Sequence, residues 1–355
     1  IRHRNVLALI DAAQSRMDFG STDVWSLFHS FSFDVSVWEM WGPLLTGARI
    51  VLVPQDARLD PHTFVTFLAH ARVTMLNIVP SVFRHLVATG RGPQSELAVR
   101  QVVFAGEAVD PVAVSTWLST LPDRRRPAVA NMYGITESTV HVTLRQMTDI
   151  DFTRTGPGTL IGTPLPHVRM RLVDQQLRPV KPGDVGEILL DGPGVSEGYL
   201  GRPELNRERF PTLTTDGPAE HCFRTGDLAS WDQTTGSYVY RGRIDNQIQL
   251  HGHRIELGEV ETALRACPGV FDAAVVLHRP PGRDASLLAH VVTTPPADDP
   301  EHTRRTIREI RRNLTSILPR HMIPQHIRLV ADLPRTESGK TDRGALVPRS
   351  QQANR

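Results

Sequence analysis

Apolar residues in the first 150 positions fall into short uninterrupted runs separated by stretches with helical spacing. Residues 49–54 (Arg-Ile-Val-Leu-Val-Pro), 74–79 (Thr-Met-Leu-Asn-Ile-Val) and 101–105 (Gln-Val-Val-Phe-Ala) read as buried strands. Between them, residues 60–71 and 80–88 read as helices, and Pro61 suits a first helical turn, where no N–H is needed. Strands alternating with helices predict a mostly parallel sheet covered on both faces. Ligands of such sheets bind beyond the carboxyl ends of the strands, and residues 131–141 follow another apolar patch in the right place for such a site.

The pattern changes near residue 160. Residues 168–174, 186–190 and 238–242 read as short strands divided by Pro- and Gly-rich turns, which predicts an antiparallel, barrel-like subdomain. After Asp245 it changes again, to an amphipathic helix over 255–266, strands over 270–277 and 287–292, a loop over 293–302, and a long helix over 304–318 with charge on one face. The expected organisation is a large α/β domain over residues 1–244, formed by an α/β layer (1–150) and a barrel-like β subdomain (151–244). A small α+β domain over 245–355 follows it.

Composition narrows the classes. The length of 355 residues exceeds what a single core usually spans, which agrees with two domains. No apolar run approaches the roughly 20 residues needed to cross a bilayer, and residues 1–16 mix charges with apolar positions, unlike a secretory leader. Net charge is +2, so nothing global draws the chain to nucleic acid or to a membrane surface. Cys222 and Cys267 are too few for a disulfide framework or a zinc cage, and a cytoplasmic location is expected. Lys181 and Lys340 are the only lysines, so a lysine in a glycine-flanked loop invites a specific explanation.

Several local constellations carry chemistry. In Asn131-Met-Tyr-Gly-Ile-Thr-Glu-Ser-Thr, Thr136 can meet a phosphate, Glu137 a Mg²⁺ ion and the Tyr133 ring a flat base; a capped turn is the plain alternative. Phe223-Arg-Thr-Gly-Asp-Leu offers Asp227, in a tight turn at a strand end, to the two hydroxyls of a ribose, or is only a Gly-Asp turn. Arg243-Ile-Asp245 sits at the composition boundary and can hold a ribose or phosphate, or form a surface ion pair. Thr336-Glu-Ser-Gly-Lys-Thr-Asp-Arg lacks the earlier glycine and spacing of a Walker loop.

Their order is more specific than any one of them. Phe33-Asp-Val-Ser, Tyr133-Gly-Ile-Thr-Glu, Gly186-Glu-Ile-Leu-Leu-Asp-Gly, Arg224-Thr-Gly-Asp, Gly242-Arg-Ile-Asp, Gly252-His-Arg-Ile-Glu-Leu, Leu318-Pro-Arg-His-Met-Ile-Pro and Ser338-Gly-Lys-Thr-Asp-Arg follow one another along the chain. In this order and spacing the chain resembles an adenylation domain of a nonribosomal peptide synthetase, in the adenylate-forming superfamily. The resemblance implies ATP and Mg²⁺ as cofactors, an amino acid as substrate, and transfer to the phosphopantetheine of a peptidyl carrier protein. An MbtH-like protein is a further candidate partner. It implies that Tyr133 and Gly134 meet adenine, with Gly106, Glu107 and Ala108 lining the same slot. Thr136 would contact the α-phosphate, Glu137 the metal, and Asp227 the ribose with help from Tyr240 and Arg243. Asp245 would be a hinge, and Lys340 would reach the substrate carboxylate from the small domain.

Asp34 marks an α-amino acid substrate, since the family uses an aspartate there for the α-ammonium. The remaining pocket positions implied are Val35, Trp38, Asn77, Val103, Ala105, Met132, Val140 and His141, a combination resembling threonine-activating domains. Asn77 and His141 would hydrogen-bond a β-hydroxyl, while Val35 and Val140 hold its methyl; alternatively Asn77 and His141 satisfy each other. Three departures stand out. The family's Ser/Thr- and Gly-rich phosphate loop is expected upstream of Ile1, which would make the chain an N-terminally truncated piece. Ile135 replaces a usual proline, and Gln249 and His251 replace residues that are commonly Lys and Arg. A binding or scaffold module lacking turnover is the alternative function, and an acyl-CoA synthetase is disfavoured by Asp34.

Overall fold

The computed structural model describes residues 1–88, 97–153, 158–213, 219–244, 247–280, 283–294, 299–335 and 341–347. It forms two compact units, Ile1–Ile244 and Asp245–Arg355. The strands of the first are β1 (Val24–Leu27), β2 (Arg49–Leu52), β3 (Met75–Ile78), β4 (Gln101–Phe104), β5 (Ala128–Tyr133), β6 (Thr143–Gln146), β7 (Thr159–Pro164), β8 (Arg169–Val173), β9 (Gly186–Asp191), β10 (Thr212–Leu213), β11 (Glu220–Asp232) and β12 (Ser237–Arg243). They make one twelve-stranded sheet in the order β2-β1-β3-β4-β5-β6-β7-β12-β11-β9-β8, with β10 on β11. Pairing is parallel from β2 to β5 and antiparallel beyond. Hydrogen bonding therefore runs without a break across the boundary expected at residue 150, because β6 and β7 join the parallel part to the β-rich part.

Alternation along the parallel strands sends side chains to two cores. Leu76, Ile78, Val102, Phe104 and Val129 face one, with Phe64, Leu68, Phe83 and Trp117 from the helices Pro61–Ala71, Pro80–Ala88 and Pro111–Ser119. Met75, Val103, Ala130 and Met132 face the other, with Trp38 of the helix Val35–Thr46 and Leu9 and Ala13 of His3–Gln14. Asn77 pairs in register with Val103, and Val103 with Ala130. The helix starting at Pro61 is set by Asp60, whose carboxylate accepts from Thr63 N.

The second unit holds the hairpin β13 (Gln247–Leu250) and β14 (His253–Glu256), and a three-stranded sheet of β15 (Val270–His278), β16 (Ser286–Thr293) and β17 (His326–Leu329). Helices Leu257–Arg265 and Pro300–Ile317 pack Val260, Leu264, Ile310 and Leu314 against Val275, Leu287 and Val291. Two predicted bounds are corrected. Residues 255 and 256 belong to β14, since Ile255 pairs with Ile248 across the His251-Gly252 turn, so the helix starts at Leu257. The long helix begins at Pro300, inside the predicted loop, because the Asp299 side chain accepts from Glu301 N and His302 N.

Gly162 on β7 has φ +80°, and a Cβ there would lie 2.0 Å from the carbonyl oxygen of Leu144 on β6. Gly162→Ala is expected to destabilise the first unit by more than about 1 kcal/mol, since alanine suits neither the dihedral nor the space. A lowered denaturant midpoint at unchanged slope is the result to look for.

Candidate functional site

Strand pairing builds the first cluster. Asp227 on β11 lies opposite Arg243 on β12, and the Arg243 guanidinium donates to Asp227 Oδ1 at 2.7 Å and to the Thr225 carbonyl at 3.0 Å. The Tyr133 hydroxyl at the end of β5 donates to Asp227 Oδ2 at 2.6 Å, and the Tyr240 hydroxyl to Oδ1 at 3.1 Å. Asp227 is only 2% exposed. Burial, then the charge of Asp227, holds the Tyr133 phenol well above its usual range, so it remains a donor. Asp227 does not sit in a turn at a strand end, as the sequence suggested. β11 runs through it, with the register shift and Gly226 (φ +74°) just before it supplying the apparent turn. Nor is the Arg243 ion pair a surface one: its side chains are buried.

The loop after β5 forms the second cluster. Thr136, on the short 3₁₀ turn Thr136–Ser138, donates its hydroxyl to Asp34 Oδ2 at 2.7 Å. Burial raises the Asp34 carboxyl, opposed by that hydrogen bond. Glu137 accepts from the Tyr199 hydroxyl, and its carbonyl accepts from Ser196 N at 2.8 Å. Thr139 and Val140 both have positive φ, +62° and +68°, a strained state for β-branched residues. The Thr139 hydroxyl secures it on the Gly194 carbonyl at 2.7 Å. Gly134 is required beneath, since a Cβ would lie 2.0 Å from the Val140 oxygen.

The third group is a wall. Val35, Trp38, Val103, Met132 and Val140 belong to one apolar cluster. Trp38 Nε1 donates to Asn77 Oδ1 at 2.8 Å, and the Trp38 ring meets the His141 ring edge-on at 5.3 Å. Asn77 and His141 do not satisfy each other. Asn77 Nδ2 and both ring nitrogens of His141 are buried without a hydrogen-bond partner among the described residues. Such orphaned atoms are costly unless something pairs with them. Gly106 (φ +82°) and Ala108 are exposed, Ala105 is partly so, and the Glu107 carboxylate accepts from Ser81 N at 2.8 Å and its hydroxyl at 3.1 Å. Asp245 and Lys340 lie outside the described residues.

Sequence reading missed three residues near these clusters. Tyr199 reaches Glu137 from a distant segment that carries no local signal. Glu39, fully buried on the helix that Asp34 caps, pairs with His29, and their only signal was a carboxylate in the apolar helix Val35–Thr46. Elsewhere, Asp191, Glu220 and Cys222 lie close enough together to suggest a metal site. Arg169 and Arg171 already bridge both carboxylates and neutralise them. No described helix is long and apolar enough to cross a membrane.

The chain belongs to the AMP-binding enzyme family, whose model matches residues 1–200; the AMP-binding enzyme C-terminal domain model matches residues 259–340. It is 40% identical over 349 residues to the dimodular nonribosomal peptide synthase of Bacillus subtilis (strain 168), covering 98% of this chain and 14% of that protein. It is 39% identical to syringomycin synthase SyrB1 of Pseudomonas syringae pv. syringae, covering 98% of this chain and 55% of that protein. Among solved structures, holo-PA1221, an NRPS protein containing adenylation and PCP domains bound to a vinylsulfonamide inhibitor, superposes with a TM-score of 0.77. Identity there is 26%, covering 93% of this chain and 54% of that one. The chain thus spans only part of the length of each of these relatives. The family resemblance and the fold class read from the sequence are borne out.

Burial first, then the neighbouring imidazoles of His167 and His29, lower His141 to about 3, and burial lowers His167 to about 4. Both titrate near 6.5 when unfolded, so between these values the unfolded chain binds more protons and stability rises with pH. His253 in the second unit, lowered by burial to about 4, acts with the same sign. The raised Asp34 acts with the opposite sign above 3.8. Thermal midpoints should therefore fall as pH is lowered from about 6.5 towards 4, and less steeply in His141→Asn.

Proposed function

We propose that this chain activates an amino acid with ATP, forming an aminoacyl adenylate and pyrophosphate, and then passes the aminoacyl group to the phosphopantetheine thiol of a carrier protein. The observation that carries this reading is the 2.7 Å hydrogen bond between Asp34 and Thr136. The α-ammonium and α-carboxylate of an amino acid share one carbon. An anchor for the first and a phosphate contact for the second must therefore be near neighbours, as these two side chains are. In the reaction a carboxylate oxygen attacks the α-phosphorus, and the bond to the β-phosphate oxygen breaks to release pyrophosphate. Positioning and charge neutralisation supply most of the rate.

The residues present fit the remaining groups. Asp227 accepts two phenolic hydroxyls, from Tyr133 and Tyr240, in the manner it would accept two ribose hydroxyls. A nucleoside entering there exchanges with the Tyr133 hydroxyl and leaves its ring to face the base, next to Gly134 and the Gly106–Ala108 segment. Glu137 is only partly buried and offers hard oxygen ligands of the kind Mg²⁺ takes. Bound there, the ion would offset phosphate charge. Lys340, on the Ser-Gly-Lys-Thr-Asp-Arg segment, supplies a point charge to the carboxylate during adenylation, and Asp245 acts as the hinge that lets the small domain turn away for thioester transfer.

The substrate we assign is L-threonine. The orphaned Asn77 Nδ2 and His141 nitrogens offer donors and an acceptor to a β-hydroxyl, while Val35 and Val140 surround a methyl. Serine loses the methyl, at roughly 1–3 kcal/mol. Valine leaves the buried polar atoms unpaired, at about 1–3 kcal/mol or more. Pyrophosphate exchange over an amino-acid panel should rank threonine first and each analogue lower by about tenfold, with valine lowest. Valine or 2-aminobutyrate outrunning threonine would sink this assignment. A separate test is Lys340→Ala, expected to lower adenylation by orders of magnitude while thioester transfer from preformed adenylate survives. Equal loss of both half-reactions contradicts the role.

A further inference from the structure

The segment Gly186-Glu-Ile-Leu-Leu-Asp-Gly carries a carboxylate, Glu187, that the reaction above does not use. Glu187 lies on β9 and is only 4% exposed. Its Oε2 accepts from the Arg224 guanidinium, through Nε at 3.1 Å and Nη2 at 2.6 Å, and its Oε1 accepts from Gly226 N at 3.1 Å. Both donors belong to an irregularity in β11. Leu189 pairs with Arg224 and Glu187 with Leu228, so β11 takes four steps where β9 takes two. The extra residues bulge out of the ladder, with Gly226 at φ +74°. Thr225 closes the bulge: its hydroxyl donates to the Ile188 carbonyl at 2.8 Å and accepts from Asp227 N at 3.0 Å. A bulge of this kind re-aims a neighbouring side chain. Here that side chain is Asp227, turned onto Tyr133, Tyr240 and Arg243.

We propose that Glu187 is a positioning residue for the nucleotide: it holds the Arg224–Gly226 bulge from the neighbouring strand and so aims the Asp227 carboxylate at the ribose. This rests on the ribose reading of Asp227 above. Glu187 acts through the backbone of residues 224–227, not by contact with the nucleotide. A buried ion pair adds little net stability, since desolvation offsets its attraction. A carboxylate bound at once to a backbone N–H and to a guanidinium does fix direction. Direction is what this stretch of β11 needs. A slip of one residue towards regular pairing would send the Asp227 side chain to the other face of the sheet.

The test is the preference for ATP over 2′-deoxy-ATP in pyrophosphate exchange, taken as a ratio of kcat/KM. A hydroxyl bonded to a buried carboxylate makes that preference about tenfold or more in the unaltered protein, and Asp227→Ala should abolish it. Glu187→Gln keeps the size of the side chain but sets an NH₂ group against one of the two donors. It should raise the ATP KM by about tenfold and cut the preference to about threefold or less, with the amino-acid KM unchanged. In an Asp227→Ala background it should cost no further ATP affinity. Arg224→Gln, at a partly exposed side chain, should act in the same direction more weakly, and it decides the matter if Glu187→Gln does not fold. A full preference in folded Glu187→Gln, or in Arg224→Gln where the first does not fold, would overturn the proposal. So would ATP and amino-acid KM rising together with the preference intact, since Glu187 would then serve the fold alone. A preference missing from the unaltered protein, or surviving Asp227→Ala, would instead refute the ribose reading and the proposal with it.

Discussion

Gly134 lies so close beneath the carbonyl of Val140 that no side chain fits between them, and the site depends on that approach. It folds the chain after β5 back on itself within a few residues. The fold is tight enough to force positive φ on Thr139 and Val140. Strain of this kind persists only where the surroundings impose it. Here they do so through the Thr139 hydroxyl on Gly194, Ser196 N on the Glu137 carbonyl, and Val142 N on the Tyr133 carbonyl. From this one loop project Tyr133 towards Asp227, Thr136 towards Asp34, and His141 towards Trp38. Loosening it would misplace all three at once.

The sheet supplies the frame. Its parallel strands send side chains to two cores, and among the described residues each holds polar atoms without a partner: Trp117 Nε1 in one, Asn77 Nδ2 and the His141 ring nitrogens in the other. The core of Phe64, Phe83, Phe104 and Trp117 is packed largely from aromatic edges and aliphatic side chains. On the opposite face, Trp38, Met132 and Val140 surround Asn77 and His141. Apolar surroundings make those polar atoms costly, because no hydrogen bond among the described residues relieves their burial.

Two buried carboxylates of the first unit are held by several donors each. Asp227 has Arg243 and two tyrosines, and Glu39 has two backbone N–H groups and His29. Replacing such pairs with apolar side chains would often cost no stability. Their value lies in orientation: each fixes the aromatic or imidazole rings bonded to it.

The sequence by itself determined a good deal. The alternation of apolar runs and helical stretches located β2, β3 and β4 and the helices after Asp60 and Val79; β3 and β4 are buried on both faces, as continuous apolar runs predict, but β2, expected to be buried, lies half-exposed at the sheet edge, where it has only one neighbour. Motif order identified the family, and it named Tyr133, Asp227, Tyr240 and Arg243, which the structure brings into one hydrogen-bonded cluster. Tertiary structure alone decided the rest. Local pattern could not show that β6 and β7 carry the sheet into the β-rich region, since strand partners are chosen by distant segments. It could not show that Asn77 bonds to Trp38 and not to His141, or that Tyr199 reaches Glu137. The Glu39–His29 pair was equally hidden: a carboxylate in an apolar helix and a histidine ten residues earlier acquire meaning only when folding removes both from water.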